Sequence, residues 1–507
     1  MTKAATVFEL LDAVSDKSAV ALSAPDRKDL SHQGLRDLCT RTVKSLNNFG
    51  IGRNERVAIV LPNGPEMAAA FIAIACAATT APLNPGYRED EFKFYLDDLK
   101  AKALVVEAGS ESPAVAAASA LGIPIIVLNV TDGMAAGDFD LSPPETTATP
   151  TTSGMAEADD IGLILHTSGT TSRPKIVPLS QRNLVASAGN IAATLSLTPA
   201  DRCLNIMPLF HIHGLIAAVL SSLCAGANIY CTPGFNALKM FSWLADAKPN
   251  WYTAVPTMHQ AILARASRNQ DIVASTTLRF VRSSSSSLPP QVMAELEATF
   301  DCPVVEAYGM TEATHQMACN PLPPAARKAG TVGIAAGPEV AIMDLTGNLL
   351  NAGSTGEIVI RGDNVTSGYE NNDTANAEAF TGDWFRTGDQ GVMDDEGYIS
   401  ITGRLKEIIN RGGEKISPRE VDEVLMDHPA VQQVVTFAIP HDKLGEEVGA
   451  IVVLREGAQA EAAEIRAFAA QRLADFKVPR TILFKDEIPK GATGKLQRIG
   501  LAEKLGL

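Results

Sequence analysis

The stretch His166-Thr-Ser-Gly-Thr-Thr-Ser-Arg-Pro-Lys175 is rich in hydroxyl groups and ends in a lysine that follows a proline. Directly before it, Ile161-Gly-Leu-Ile-Leu165 has the composition of a short buried strand. A strand that runs into a loop of Gly, Ser and Thr is typical of a phosphate-binding site, because glycine permits close backbone approach while hydroxyl and N–H groups donate to oxygen atoms. A flexible polar linker is the alternative, but such linkers rarely follow a strand directly or end in Arg-Pro-Lys.

This loop does not match G-x-x-x-x-G-K-[ST], the phosphate-binding pattern of nucleotide triphosphatases, so the sequence does not indicate a kinase or a GTPase. It closely resembles the phosphate-binding motif of adenylate-forming enzymes, the superfamily of acyl-CoA synthetases, luciferases and peptide-synthetase adenylation domains. The family usually has Gly after Pro-Lys, where this chain has Ile176. The resemblance implies that ATP is bound by Thr167, Ser168, Gly169, Thr170, Thr171 and Lys175.

Length and composition limit the class of protein. A chain of 507 residues is too long for one ordinary core, so we expect two or more domains. With 46% hydrophobic and 20% charged residues, we expect a soluble globular protein. The net charge of −15 argues against nucleic acid or an acidic membrane surface as the main partner. Seven scattered Cys without a C-x-x-C pair fit a reducing cytoplasm, and the N-terminus lacks the long apolar run of a signal peptide. No stretch is long and apolar enough to span a bilayer, so we expect no stable membrane association. We expect a monomer or a homodimer.

Apolar runs alternate with helical patterns over the first 320 residues. Arg56–Leu61, Ala103–Glu107 and Pro124–Leu128 are predicted strands, and the Ala-rich run Glu66–Thr80 is a predicted helix. Strands separated by helices indicate a parallel α/β sheet.

The pattern changes after residue 330, where short alternating strands punctuated by Gly and Asp predict an antiparallel sheet or a small β-barrel. The last hundred or so residues have the size of a small α+β domain. Together with these patterns, the resemblance implies the α/β fold of adenylate-forming enzymes. Residues 1–403 would form a large N-terminal domain of α/β sheets plus a small β-barrel, and residues 404–507 a small α+β C-terminal domain.

Tyr308-Gly-Met-Thr-Glu312 puts a carboxylate beside a hydroxyl, and Mg²⁺ prefers such oxygen ligands. The alternative is a helix N-terminus capped by Thr311. The family has a matching motif, which implies that Tyr308 and Thr311 bind ATP. It also implies that Glu312 is a catalytic residue and holds Mg²⁺ together with Thr167.

Trp384-Phe-Arg-Thr-Gly-Asp389 places an acid on a tight turn, where its two oxygens can accept hydrogen bonds from a ribose. Turn aspartates are usually structural. The resemblance implies that Asp389 and Arg404 bind ATP and that Lys406 is the hinge between the two domains.

Two glycine-rich loops complete the ordered set of motifs. Gly412 and Gly413 let a ligand pass close to the backbone, a solvated turn being the alternative, and the resemblance implies that they bind coenzyme A. Lys495 matches the family's lysine that contacts the α-phosphate and the carboxylate, where a positive charge stabilises phosphoryl substitution. The implied reaction converts a carboxylate and ATP to acyl-AMP and pyrophosphate, and then transfers the acyl group to the thiol of coenzyme A.

Histidines and serines concentrate in the segments that line the acid pocket of this family. The candidate substrate residues are His213, His259, Arg282, Ser283, Ser284 and His315, and His211 is a candidate catalytic residue. A long fatty acid needs an apolar lining, whereas a second carboxylate needs donors, because a buried unpaired charge is costly. The alternatives to a substrate-binding role for these histidines are buried positions in the core, a gate at His211 and a zinc site formed by the His-x-His pair.

The strings Pro208-Leu-Phe-His-Ile-His-Gly214 and Met310-Thr-Glu-Ala-Thr-His315 look most like those of oxalate–CoA ligases. That resemblance implies oxalate, a two-carbon dianion, as the substrate. A ligase for medium-chain, long-chain or other small acids shares the nucleotide motifs and differs only in its pocket. An adenylation enzyme that loads a carrier protein shares the nucleotide motifs as well, so this enzyme class and the other acid–CoA ligases remain open. A non-enzymatic binding protein is disfavoured because Lys495, Glu312 and Asp389 are retained.

Overall fold

The computed structural model describes residues 4–145, 147, 149–167, 174–489 and 498–507. Contacts divide the chain into two compact units. The first contains the chain up to Thr167, with Lys175–Val340 and Ile360–Phe385, and the second contains Ala341–Val359 and Arg386–Leu507. The domain boundary between residues 403 and 404 stays a prediction. No helix in the described part of the chain is long and apolar enough to cross a membrane.

The elements of the N-terminal third are short, and most strands are followed by a helix. They are α1 (Val7–Asp12), β1 (Val20–Ser23), β2 (Leu30–Ser31), α2 (His32–Asn48), β3 (Arg56–Val60), α3 (Pro65–Ala75), β4 (Thr79–Pro82), α4 (Glu89–Asp98), β5 (Ala103–Glu107), α5 (Pro113–Ala120), β6 (Ile125–Asn129), β7 (Asp140–Ser142) and β8 (Ile161–Thr167).

The middle third continues this alternation and includes a π-helix (His213–Leu220) and a 3₁₀ turn (Thr311–Ala313). Its other elements are β9 (Lys175–Ser180), α6 (Gln181–Thr194), β10 (Arg202–Asn205), α7 (Ser221–Cys224), β11 (Asn228–Cys231), α8 (Met240–Ala247), β12 (Trp251–Ala254), α9 (Pro256–Ala266), α10 (Gln270–Ser275), β13 (Phe280–Ser283), α11 (Pro290–Phe300), β14 (Val304–Met310), β15 (His315–Cys319) and β16 (Ile334–Ala335).

The C-terminal third consists mostly of strands, with a 3₁₀ turn at Asp475–Lys477. Its elements are β17 (Glu339–Met343), β18 (Thr355–Arg361), α12 (Asp373–Ala379), β19 (Phe380–Thr381), β20 (Trp384–Met393), β21 (Ile399–Arg404), β22 (Ile409–Arg411), β23 (Glu414–Ile416), α13 (Pro418–Met426), β24 (Val431–His441), β25 (Gly445–Leu454), α14 (Ala462–Ala470), β26 (Thr481–Phe484) and α15 (Leu501–Lys504).

Two large sheets form the first unit, in the strand orders β7-β6-β5-β3-β4-β8-β9 and β16-β15-β14-β13-β12-β10-β11-β1-β2. The strands inside both sheets pair in parallel, and antiparallel strands complete the edges. The predicted parallel α/β architecture is therefore confirmed. Helices cover the second sheet through an apolar cluster that includes Phe241, Tyr252 and Leu296.

The predicted helix Glu66–Thr80 is wrong at its C-terminal end. Helix α3 stops at Ala75, and Thr79 and Thr80 begin strand β4. Their hydroxyls donate to the carbonyl oxygens of Ile161 and Gly162, at 2.6 and 2.9 Å. The run of Ala continued the helical pattern, but β-branched threonines favour a strand once a neighbouring strand is present.

Smaller sheets occupy the rest of the chain. Strands β17 to β21 form one five-stranded sheet in the region of the predicted antiparallel sheet or barrel, and β20 pairs with β21 in antiparallel orientation. Strands β22 to β26 form the last sheet, in the order β23-β22-β25-β24 with β26 beside β25. Helices α13 and α14 pack on it through Val421, Leu425 and Ile465, which gives the predicted α+β C-terminal region its own core.

Candidate functional site

Polar side chains meet where strands of the nine-stranded sheet end. Thr253 and Arg282 are paired residues on the neighbouring strands β12 and β13, close to their carboxyl ends. His213 begins the π-helix that follows β10, and π-helical turns are frequent at functional sites. In open α/β sheets, ligands bind outside the carboxyl ends of the strands. We call His213, Thr253, Arg282, Ser285 and Gln316 the strand-end cluster.

Hydrogen bonds join all members of the strand-end cluster. The ring nitrogens of His213 lie 2.9 Å (Nδ1) from Ser285 Oγ and 2.6 Å (Nε2) from Thr253 Oγ1. Nη1 of Arg282 lies 3.4 Å from Thr253 Oγ1, and Nη2 donates to Gln316 Oε1 at 3.1 Å. The His213 ring also lies 5.0 Å, centroid to centroid, from that of His315. The sequence-predicted residues His213, Arg282 and His315 are thus neighbours in space.

The guanidinium of Arg282 is fully buried, with 0% of the residue exposed. No carboxylate of the described residues pairs with it, and its hydrogen bonds go to neutral groups. Burial lowers the pKa of Arg282 from its usual value. Its Nε and the hydroxyl of Ser283 have no hydrogen-bond partner in the part of the chain that the structure describes. Because a buried cation is costly without an anion, this cluster is suited to bind one.

Burial also keeps His213 neutral. Desolvation, followed by the nearby His315 and Arg282, holds the pKa of His213 well below its usual value. A neutral imidazole has one donor and one acceptor nitrogen. His213 therefore donates to one of its two hydroxyl partners and accepts from the other, which fixes the orientation of Ser285 and Thr253.

The backbone around the cluster adopts rare conformations. Ser285, Thr314 and His315 have φ angles of 71°, 49° and 101°, which side chains other than glycine seldom adopt. A Cβ atom added at Gly309 would lie 1.9 Å from the carbonyl oxygen of His315, so a glycine is required there. Such strain is concentrated at functional sites, where the surrounding structure holds it in place.

Other predicted pocket residues have different surroundings. Ser284 Oγ donates to the carbonyl of Ala307 at 2.8 Å. His259 lies on α9, fully buried, with Nδ1 3.4 Å from the Tyr252 hydroxyl, and burial lowers the pKa of His259 to about 3. His211 is half-buried and its ring lies 4.5 Å from that of Phe210.

Glu312 is buried on the 3₁₀ turn after β14, and one carboxylate oxygen, Oε1, accepts a hydrogen bond from the hydroxyl of Tyr369 at 2.8 Å. Thr311 is half-buried beside it, and Tyr308 is buried at the end of the strand. Among the described residues, no group of three or more His, Cys, Asp and Glu could hold a metal ion. Mg²⁺ is commonly held by one or two carboxylates together with substrate phosphates, so the single buried Glu312 fits that ion.

The residues at the two ends of the predicted phosphate-binding loop are adjacent. Thr167 at the end of β8 pairs with Lys175 at the start of β9. Nζ of Lys175 lies 4.2 Å from the ring centroid of Tyr369. The predicted site residues Ser168, Gly169, Thr170, Thr171 and Lys495 lie outside the described residues.

The second unit holds the remaining predicted residues. Asp389 is buried on β20, and its carboxylate pairs with Nε of Arg404 on β21 at 3.0 Å. Lys406 is exposed on the turn after β21. Gly412 and Gly413 form the turn between β22 and β23 with φ angles of 61° and 98°, which explains why both positions are glycine.

The sequence interpretation missed three residues with direct contacts in these sites. Thr253 lies within an apolar run of the sequence, and only the register of β12 against β13 brings it to Arg282. Gln316 follows His315 directly, and its side chain also donates to the carbonyl of Ala336 at 3.1 Å. Tyr369 is 57 residues from Glu312, so no local pattern links them.

Known proteins are similar to this chain over nearly its whole length. A family model described as "AMP-binding enzyme" matches residues 11–370, and one described as "AMP-binding enzyme C-terminal domain" matches residues 420–495. The chain is 43% identical to an oxalate–CoA ligase of Arabidopsis thaliana, covering 97% of each chain. It is 42% identical to an oxalate–CoA ligase of Saccharomyces cerevisiae, covering 99% of this chain and 98% of the relative. The crystal structure of ATP-bound MatB from Rhodopseudomonas palustris matches with a TM-score of 0.88 and 28% identity. The match covers 99% of this chain and 98% of the MatB chain.

Proposed function

We propose that this chain, which belongs to the AMP-binding enzyme family and is an AMP-forming acid–CoA ligase, uses oxalate as its acid substrate. In the first step a carboxylate oxygen of oxalate attacks the α-phosphorus of ATP, and pyrophosphate leaves. In the second step the thiol of coenzyme A attacks the carbonyl carbon of oxalyl-AMP, AMP leaves, and oxalyl-CoA is formed.

The buried guanidinium of Arg282 is the observation that supports a dianionic substrate most strongly. It has no carboxylate partner among the described residues, and hydroxyl and imidazole groups surround it. The distal carboxylate of oxalate is ionised at neutral pH and supplies the missing negative charge. An apolar acyl chain would leave the charge of Arg282 uncompensated in a buried site.

We assign the donors to the distal carboxylate to the strand-end cluster and its neighbours. The hydroxyl of Ser283 has no partner among the described residues and can donate, and Ser285 is oriented by His213. His315 lies beside His213 on the strained segment that starts β15. Ser284 donates to a backbone carbonyl, so its part is to hold the serine run in place. His259 contacts the hydroxyl of Tyr252 on β12 and would hold that strand in place. The half-buried His211 would be the gate for coenzyme A.

We assign the residues that bind the nucleotide and coenzyme A from the sequence motifs. Glu312 and Thr167 would hold Mg²⁺, which neutralises phosphate charge when it is bound. Lys495 would contact the α-phosphate, Gly412 and Gly413 would line the path of coenzyme A, and Lys406 would be the hinge. The other residues proposed for ATP binding are Ser168, Gly169, Thr170, Thr171, Lys175, Tyr308, Thr311, Asp389 and Arg404.

We also propose that the enzyme works in the cytoplasm. All seven cysteines are free thiols in the structure, six of them buried, as is usual for proteins kept in a reducing compartment.

The substrate is tested by acid-dependent exchange of labelled pyrophosphate into ATP, with coenzyme A omitted. The panel comprises oxalate, glyoxylate, malonate, sulfoacetate and octanoate, so that distal charge and chain length vary separately. We expect oxalate to support the fastest exchange, with glyoxylate far slower because its distal group is uncharged. Fastest exchange with octanoate would contradict the dianion pocket, and exchange with none of these acids would contradict the choice of substrate class.

A further inference from the structure

Tyr369 contacts two residues of the first unit that are proposed to act on ATP, Glu312 and Lys175. Its hydroxyl donates to Oε1 of Glu312 at 2.8 Å, and its ring faces the ammonium of Lys175, with 4.2 Å from Nζ to the ring centroid. Tyr369 is itself 8% exposed, and Glu312 is 6% exposed. One side chain therefore contacts both the proposed metal-binding carboxylate and the lysine that ends the phosphate loop.

The contact to Glu312 restricts the carboxylate in a defined way. A hydrogen bond from a neutral donor to a buried carboxylate is charge-assisted, and it fixes the plane of the acid. The acceptor is Oε1, so the hydrogen bond holds that oxygen in a fixed place.

The contact to Lys175 uses the face of the same ring. A lysine ammonium over an aromatic face is attracted by the ring quadrupole, and the attraction is larger where water is excluded. The lysine side chain is long and flexible. A fixed ring beside it restricts the orientations of its ammonium group, which lowers the entropic cost of binding a phosphate.

The backbone around Tyr369 is anchored independently of its side chain. The N–H of Thr366 donates to the carbonyl of Glu312 at 2.7 Å, and the N–H of Glu370 donates to the carbonyl of Ile176 at 3.1 Å. Glu370 also pairs with Arg56 at 2.7 Å. Residues 366–370 thus stay attached to the Glu312 turn and to β9 when the Tyr369 hydroxyl is removed, so a conservative substitution tests the hydroxyl alone.

We propose that Tyr369 is a positioning residue that orients Glu312 toward the metal ion and Lys175 toward the phosphates of the same Mg·ATP. The proposal rests on the proposed function, which assigns the metal to Glu312 and the phosphates to Lys175. It separates two contributions of one side chain: the hydroxyl acts on metal binding and the ring acts on binding of the phosphates.

The test uses the full chain, a non-hydrolysable ATP analogue and Mn²⁺, whose bound and free forms are distinguished by electron paramagnetic resonance. Tyr369→Phe keeps the ring and removes the hydroxyl, so we expect Mn²⁺ affinity in the ternary complex to fall about ten- to a hundred-fold, with metal-free affinity for the analogue unchanged. Tyr369→Leu removes the ring as well, so affinity for the metal-free analogue should fall too.

Two further variants make the outcome decisive. Tyr230 also donates its hydroxyl to a carboxylate, that of Asp246, so Tyr230→Phe is a matched control that should keep wild-type Mn²⁺ affinity. Glu312→Gln should weaken Mn²⁺ binding at least as much as Tyr369→Phe. If Glu312→Gln weakens Mn²⁺ binding and Tyr369→Phe does not, the Tyr369 hydroxyl does not position Glu312. Unchanged affinity of Tyr369→Leu for the metal-free analogue would likewise remove the role of the ring. If neither does, the assignment of the metal to Glu312 is wrong, and this inference falls with it. Melting temperatures report folding, and Tyr369→Phe tests the hydroxyl separately from the ring.

Discussion

Replacing Arg282 with methionine removes the buried positive charge and keeps a side chain of similar length. We take a separation of roughly 6–9 Å between the guanidinium and a carboxylate that accepts a hydrogen bond from Ser283 or Ser285. At that separation and an effective dielectric constant of about 20, two unit charges attract each other by about 2–3 kcal/mol. We therefore expect Arg282→Met to lower kcat/KM for oxalate roughly thirty- to a hundred-fold.

The assay compares oxalate with glyoxylate, which has nearly the same shape and no charge on its distal carbon. Because the lost attraction acts on the distal charge, kcat/KM for glyoxylate should change little in Arg282→Met. Arg282→Lys is the matched control, since it keeps a positive charge and should retain most of the preference for oxalate. The initial rate of AMP formation at varied acid concentration gives both values of kcat/KM.

Stability measurements separate this role from a structural one. The substitution removes the cost of burying an unpaired cation, but it also removes the hydrogen bonds to Gln316 and Thr253, each worth about 1 kcal/mol. These effects oppose each other, so the melting temperature should change little. An Arg282→Met protein that melts much earlier and loses activity equally on oxalate and glyoxylate would refute the reasoning.

Three other predictions concern the half-reactions and the response to pH. Lys495→Ala should abolish formation of oxalyl-AMP yet still convert supplied oxalyl-AMP and coenzyme A to thioester, and an equal loss of both steps would contradict its assignment to adenylation. Lys406→Pro fixes the backbone φ near −65° and should change the two half-reactions unequally, as measured by single-turnover assays of each step. His259 has its pKa lowered to about 3 by burial, so between about pH 6.5 and pH 3 the unfolded chain binds a proton that the native chain does not. Stability is lost as the pH falls through that window, and His259→Phe should avoid about 2 kcal/mol of the loss between pH 7 and pH 5, measured by urea unfolding; equal slopes for both proteins would contradict it.

Much of the fold was predictable because its signals are local. Ala103–Glu107 is a strand with the predicted bounds. Strands β3 and β6 match the predicted Arg56–Leu61 and Pro124–Leu128 to within one residue, since each is a short apolar run. The end of α3 was not predictable from the same kind of signal. Whether Thr79 continues a helix or begins a strand depends on the carbonyl of Ile161, which lies 82 residues away.

The residues of the candidate site also fall into those that the sequence predicts and those that it does not. Motif residues such as Glu312 and Lys175 are recognisable because phosphate and metal chemistry require particular residue types at fixed spacing. The groups that orient them are not, because Tyr369 reaches Glu312 through the tertiary fold and Thr253 reaches Arg282 through strand register. The burial of Arg282 was likewise invisible in the sequence, where an arginine beside five serines is equally typical of an exposed loop.

The most direct test of the proposed activity is the identity of the product. The purified chain is incubated with ATP, Mg²⁺, coenzyme A and ¹³C₂-oxalate, and the thioester and AMP are measured together by mass spectrometry. We expect ¹³C₂-labelled oxalyl-CoA in a 1:1 ratio to AMP, and no thioester when ATP is omitted. Formation of AMP and thioester from a fatty acid but not from oxalate, under the same conditions, would contradict the proposed activity.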